Sequence, residues 1–221
     1  MLFFSHIGIT TGLVKVCQEL VTCRKPCYSE ICLKPQSGTA QSRKRVLLNI
    51  IRDKMKSIDY RFVLLGSLLP DIIDKPIWVF TSNNFKWGGR GYAHTFLFSF
   101  LLFIVGFMLV TRWKKNWLIT ISLCSFIHLV FDHMWLNTTT LWWPLLGSIQ
   151  RTITAGWLPS LWHGLISNPY DYVTETMGFI ITLYIGLRLI MSGRVMQFLK
   201  TGDIDWSKSL TDNKATKTKA R

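Results

Sequence analysis

His6, Asp71, Asp74, His94, His128 and Asp132 each fall within or at the end of a long apolar stretch. Ionisable side chains at membrane depth are rare; they face a protein interior or a watery cavity and carry function. Histidine and aspartate are also nitrogen and oxygen ligands of divalent transition metals. Asp71 and Asp74 are three residues apart, and His128 and Asp132 four, so each pair shares one helix face. Helix bundles build metal sites from such pairs on facing helices. The six residues are read as ligands of one or two divalent ions, zinc or another transition metal, whose charge compensates the buried carboxylates. A bound divalent ion activates water and polarises a phosphoryl or carbonyl oxygen, so the expected chemistry is hydrolysis. His94 and Asp132 are read as the catalytic residues, His94 as a general acid/base. Arg90 is read as a substrate-phosphate contact, and His163 as a substrate contact at the interface.

Each residue also has a plainer reading. Asp71 and Asp74 would cap a helix break at Pro70, with Asp74 meeting Lys75. His128 and Asp132 would form an internal hydrogen-bonded pair that tightens the bundle. His94 would be an interfacial histidine at a helix start, His6 a satisfied polar group, and Arg90 a lipid-headgroup contact. His133 points about 100° away from Asp132 on a helix and is placed outside the ligand set.

The elements that must position these groups are membrane helices. Of 221 residues, 49% are hydrophobic and only 17% charged, against about a quarter charged in a soluble domain. Residues 92–111 contain no Lys, Arg, Asp or Glu, and about 20 apolar residues in a helix span the hydrocarbon core. The pattern predicts an all-α, polytopic membrane helix bundle of about four to five segments, at residues 2–16, 62–80, 92–111, 117–136 and 172–191. Pro70 should bend the second segment ahead of its carboxylates. One embedded domain is expected over residues 1–199. It includes a basic, Cys-containing loop at 17–45, an amphipathic surface helix at 46–57 and a Trp-rich interfacial stretch at 137–170. Trp142, Trp143, Trp157 and Trp162 suit the headgroup layer, where Trp is enriched. Residues 200–221 read as a basic, disordered tail.

The net charge of +14 follows topology rather than nucleic acid. The basic residues lie between the apolar runs, with no DNA-reading motif, and no nucleic-acid partner is expected. Residues 24–56 hold nine Lys or Arg, residues 112–115 three, and residues 192–221 seven; the alternate loops hold only Lys86, Arg90 and Arg151. The rich set is expected in the cytoplasm, with the C-terminus. All six candidate ligands then fall on the opposite, extracytoplasmic side. Cys17, Cys23, Cys27 and Cys32 lack a C-x-x-C spacing and sit on the cytoplasmic side, where disulfides are unusual. They read as free thiols, with a structural zinc site as the alternative. The first segment lacks a basic n-region and no A-x-A-like cleavage site follows it, so His6 is expected in the mature protein.

At its candidate ligands the chain resembles a known family. The matching stretches are FSHIG at 4–8, LGSLLPDIIDK at 65–75, GYAHT at 91–95, and IHLVFD at 127–132 followed by Trp143 and Pro144. Together they resemble the YdjM-like inner-membrane proteins, described as metal-dependent hydrolases. Where the family often carries H-R-x-x-T-H, this chain has Arg90-Gly-Tyr-Ala-His94. The resemblance implies a small helical inner-membrane protein with a His/Asp metal centre. The expected partners are membrane lipid and an amphiphilic or phosphoester substrate, cleaved at the extracytoplasmic face. Two other functions use the same features. An ion-handling protein or transporter would employ the His/Asp cluster as a pathway, although the chain lacks the internal repeat that many transporters show. A membrane adaptor would hold a cytoplasmic partner through the basic loops.

Overall fold

The computed structural model describes residues 3–22, 55, 58–81, 90–147, 149 and 168–204, and among them all regular structure is helical. A π-helical turn at Ser5–Ile9 runs into α1, Thr10–Thr22. Next come α2 at Tyr60–Thr81, α3 at Phe96–Trp113 and α4 at Trp117–Phe131. A short α5 at Thr138–Leu141, then α6 at Pro169–Met191 and α7 at Val195–Thr201, follow. Single 3-10 turns at Tyr92–His94 and Met134–Leu136 precede α3 and follow α4. The chain divides into two compact units, Met1–Thr11 with Asp59–Arg221, and Gly12–Ile58. The first carries all six candidate ligands. Within the second, the Gln18 side-chain amide donates to the Met55 carbonyl at 2.9 Å.

Local chemistry sets the helix ends. The Thr95 hydroxyl accepts from the Phe98 N–H at 3.1 Å and starts α3, satisfying one of the four donors a helix N-terminus leaves open. Lys114, at φ 54°, ends it in the left-handed region. α4 stops at Phe131, five residues before the end expected from its apolar run, because Asp132 caps it and His133 turns left-handed at φ 51°. α2 runs unbroken through Pro70 and Pro76. The break at Pro70 required by the plainer reading of Asp71 and Asp74 is thus absent.

Small residues let the helices meet closely, as expected where lipid supplies no hydrophobic drive between them. A Cβ on Gly66 of α2 would lie 2.6 Å from the Ile121 carbonyl oxygen of α4, and one on Gly106 of α3 would lie 2.9 Å from the Ile119 nitrogen. The faces turned outward are apolar: Phe100, Leu101, Phe107 and Met108 of α3 and Tyr184, Leu187 and Ile190 of α6 are all exposed. A face of that kind is suited to acyl chains rather than to water.

α3 and α6 are long and apolar enough to cross a membrane, with mean hydropathy of 2.0 and 1.4 over their best windows. α4 is apolar but has only 15 residues, about 22 Å of helix against a core of about 30 Å. α2 has the length, 22 residues, but Asp71, Asp74 and Lys75 interrupt its apolar run. Two helices thus meet the length and polarity test where four to five segments were expected. The charges that lower α2 are those of the candidate site.

At the C-terminal end, Gly202 takes φ 68° past the last turn of α7, a conformation natural to glycine at this position. Its carbonyl accepts from the Tyr60 N–H at 2.9 Å, and Arg61 Nη1 donates to the Leu199 and Lys200 carbonyls at 2.9 and 3.1 Å. These bonds fasten α7 to the start of α2. Ile204, within the 200–221 segment read as a disordered tail, is buried. His163, Trp157, Trp162, Cys23, Cys27, Cys32 and most of the amphipathic 46–57 segment lie outside the described residues.

Candidate metal centre

α2 contributes two carboxylates with different surroundings. Asp74 is fully buried and faces the turn that precedes α3. Its Oδ2 accepts from the Gly91 and His94 N–H groups at 2.8 and 3.2 Å, and its Oδ1 from the Ala93 N–H at 3.0 Å. Its Oδ2 also lies 2.7 Å from His94 Nδ1. Asp74 therefore shapes the Tyr92–His94 turn and fixes its histidine. Asp71, one turn earlier, pairs through Oδ2 with Lys75 Nζ at 2.7 Å, leaving Oδ1 3.6 Å from His94 Nε2. The lysine thus meets Asp71, at i and i+4, and not Asp74 as the capping reading had it.

His128 comes from α4 and is fully buried. Its Nδ1 lies 2.7 Å from the Ser67 carbonyl of α2. A carbonyl can only accept, so Nδ1 carries the hydrogen and Nε2 presents a lone pair. Asp74 imposes the same arrangement on His94. The two Nε2 atoms then face each other at 3.3 Å. Two lone pairs at that separation repel unless a cation, a proton or a metal ion, stands between them.

Asp132 lies just past the end of α4, where its N–H still bonds the His128 carbonyl at 2.9 Å. The helical i,i+4 relation read from the sequence is thereby kept. Its Oδ2 is 3.6 Å from His94 Nε2, 3.9 Å from His128 Nε2 and 3.0 Å from Arg90 Nε, and its Oδ1 is 3.3 Å from His6 Nε2. Arg90 therefore reaches the cluster from its half-exposed edge, 38% accessible at the side chain.

His6 reaches the same place from the N-terminus, and α6 holds it there. Glu175 accepts from the Phe4 N–H at 2.7 Å and from the Ser5 N–H at 3.1 Å, one bond to each carboxylate oxygen. A carboxylate at the open N–H groups of a helix start gains from hydrogen bonds and from the helix dipole. Gly8 lies against Gly178 so closely that a Cβ on either would overlap the facing backbone. The Phe4 and Phe179 rings meet edge to face at 5.1 Å. The His6 ring stacks on His128 with centroids 3.8 Å apart, and both of its nitrogens are buried without a hydrogen bond. Asp132 Oδ1 is close to Nε2 but not in hydrogen-bond geometry.

The donor set fits a transition-metal ion. Ligands about 2.0–2.1 Å from a tetrahedral zinc stand roughly 3.3 Å apart. His94 Nε2 stands 3.3 Å from His128 Nε2 and 3.6 Å from an oxygen of each of Asp71 and Asp132, and His128 Nε2 stands 3.9 Å from Asp132. Two groups of three, His6 with His128 and Asp132, and Asp71 with His94 and His128, offer ligand atoms within 4.8 Å of one another. Histidine ligands are normally held through their second nitrogen by a carboxylate or a backbone carbonyl, and Asp74 and Ser67 do this here. Asp74, read from the sequence as a ligand, belongs to neither group.

All six residues singled out by type and spacing thus converge, and Arg90 joins them. His133 stays outside, its ring 4.4 Å from Tyr170 and 4.8 Å from Trp135. Cys17 is exposed and Cys124 buried, both as free thiols. Three participants escaped the sequence reading: Lys75 as the partner of Asp71, the Ser67 carbonyl and Glu175. A signal for Glu175 did exist, because it is the only acidic residue in the apolar run 172–191 and a charge at such depth points to function.

Asp74→Asn should keep the side chain's shape while weakening its hold on the His94 ring and the turn. The expected loss of metal affinity is about 10–100-fold, the usual cost of removing an outer-sphere partner, read by competition with a chromogenic chelator.

Searches of curated proteins and of solved structures gave no match. The model of the family described as YdjM inner membrane protein matches residues 1–195. That match takes in every residue of the cluster and all but the last part of the described chain; the protein belongs to the YdjM inner membrane protein family.

Proposed function

We propose that this chain is a multi-pass inner-membrane hydrolase with a divalent metal ion in the His/Asp cluster, acting on a phospholipid or other lipid-linked ester. The observation that carries the reading is the pair of His94 and His128 Nε2 atoms, face to face at 3.3 Å, each ring fixed from behind through Nδ1. Asp71, His94, His128 and Asp132 would hold the ion, with His6 as a further ligand. Asp74 and the Ser67 carbonyl orient the two rings. Bound there, the ion would supply Lewis-acid polarisation of the ester and activation of water. His94 and Asp132, expected as the catalytic pair, act in this reading as ligands beside the reacting bond. The membrane supports a lipid-linked substrate: lipid-facing α3 begins beside the cluster, and Trp142 and Trp143 lie against Phe96 and Tyr92 at 5.2 and 5.1 Å. The Lys and Arg counts support basic loops in the cytoplasm and a cluster toward the opposite face.

The test joins elemental analysis of detergent-purified protein with a panel of phospho- and carboxyl-esters. The expected result is stoichiometric retained metal and metal-dependent release of product from at least one ester. Stoichiometric metal without product from any ester would overturn the hydrolase reading. Metal or proton flux in proteoliposomes, abolished by Asp71→Asn, would assign the cluster to ion handling instead.

A further inference from the structure

We infer, independently of any metal, that α7 is an interfacial helix lying in the headgroup layer, its apolar arc against acyl chains and its cations among anionic lipid headgroups. α6 has 23 residues, about 34 Å of helix against a hydrocarbon core of about 30 Å. Tyr170 and Tyr172, both exposed, stand at its start, and tyrosine favours the headgroup layer. The other end of α6 therefore reaches the opposite headgroup layer. Only Ser192, Gly193 and Arg194 separate it from α7, and Gly193 turns the chain there at φ 65°. α7 thus begins at headgroup depth.

Its two faces differ. At about 100° per residue, Val195, Met196 and Leu199 share one arc, and Gln197, Lys200 and Thr201 fall on the other side. The three apolar side chains are 42%, 62% and 58% exposed, so the arc is not spent on packing against the protein. A helix this short does not hold by itself, since isolated helices below about 12–15 residues are marginal. α7 is held at its end instead, by the Gly202 turn and by Arg61 on the Leu199 and Lys200 carbonyls. Those bonds go to backbone, so they fix the helix and leave its apolar arc uncovered. An apolar arc opposite a polar one, at headgroup depth, is the pattern of a helix in the plane of the interface. Residues 187–202 carry Arg188, Arg194 and Lys200 and no acidic side chain. Basic residues next to a membrane span are drawn to anionic headgroups.

The test uses the full chain, its own cysteines replaced by alanine, in vesicles of phosphatidylcholine and phosphatidylglycerol. Nitroxide labels at Met196→Cys, Leu199→Cys and Gln197→Cys, one at a time, report access to oxygen and to a water-soluble nickel chelate. Labels at 196 and 199 should favour oxygen, and the label at 197 should favour nickel. Equal ratios at the three positions overturn the interfacial placement. Low access to both reagents at 196 and 199 also overturns it, because protein, a second copy or another chain, then covers the arc. The charge is read separately, with a fluorophore at Leu199→Cys and brominated lipids as quenchers. Phosphatidylglycerol should be preferred over phosphatidylcholine at least about fivefold, and Lys200→Gln should cut the preference about fivefold, the share of one basic residue near a charged surface. Equal quenching by the two lipids, or an undiminished preference in Lys200→Gln, overturns the anionic assignment. If Lys200→Gln fails to fold, the comparison of the two lipids with Lys200 in place still decides.

Discussion

His128→Ala should leave the purified protein with less than about a tenth of the metal that the wild type retains, because it removes a ligand itself and not an outer-sphere partner that orients one. His128 occupies the middle of the cluster. It belongs to both groups of three candidate ligands, its Nε2 faces His94 at 3.3 Å and its ring supports His6 by stacking at 3.8 Å. Alanine removes all three relations at once. The Ser67 carbonyl that loses its ring N–H sits in a helix, so the cost there stays local. Cys124→Ala is the control, a buried change one turn away on the same helix with no part in the cluster. Elemental analysis of both variants, with circular dichroism to verify helix content, checks the result. Equal metal in His128→Ala and wild type would remove the basis for a shared site.

Gly178→Val is expected to be the most damaging single change outside the ligands. The Cβ and its two methyl groups would occupy the place of the Phe4 carbonyl and the Ser5 backbone. Backbone cannot swing aside as the end of a long side chain can, so the N-terminal turn must leave α6. Overpacking alone costs roughly 1–3 kcal/mol, and displacement also breaks the two Glu175 bonds, at about 1.5–3 kcal/mol each for a charged acceptor. The measurable results are a lower detergent melting temperature and a turn newly open to protease. Gly186→Val provides the comparison: it lies two turns further along α6, where a Cβ meets nothing within 4 Å. Similar melting temperatures for the two variants would show that the glycine contact contributes little.

The site was more legible in the sequence than the fold around it. His6, Asp71, Asp74, His94, His128 and Asp132 stand out because charge at membrane depth is rare and because i,i+3 and i,i+4 spacings survive folding unchanged. The division of labour between Asp71 and Asp74 was not legible. Spacing places both on one face, but only the path of the Gly91–His94 backbone, itself unreadable from propensity, decides which carboxylate turns to the peptide N–H groups. Lys75 illustrates the same limit, since it neighbours Asp74 in sequence and meets Asp71 across a helical turn. Apolar runs located α3 and α6 closely. They overran the end of α4, where Phe131 is followed by a cap and a left-handed residue before more apolar side chains. A break at Pro70 belonged only to the plainer reading of Asp71 and Asp74, and α2 continues through that residue. Gly8 and Gly178 carry no signal individually, because a glycine contact exists only when two distant segments meet.

The clamp between the N-terminal turn and α6 also sets an order of events. Phe4 and Glu175 are 171 residues apart, and chains are made from the N-terminus at about 5–20 residues per second. The histidine that leaves the ribosome first must therefore wait several seconds, at the shortest, for the acidic residue and the glycine that hold its turn. Until α6 has been made, α2, α3 and α4 can bring five of the six side chains together, and the sixth lacks the Glu175 and Gly178 contacts. Completion of the cluster thus reports completion of α6.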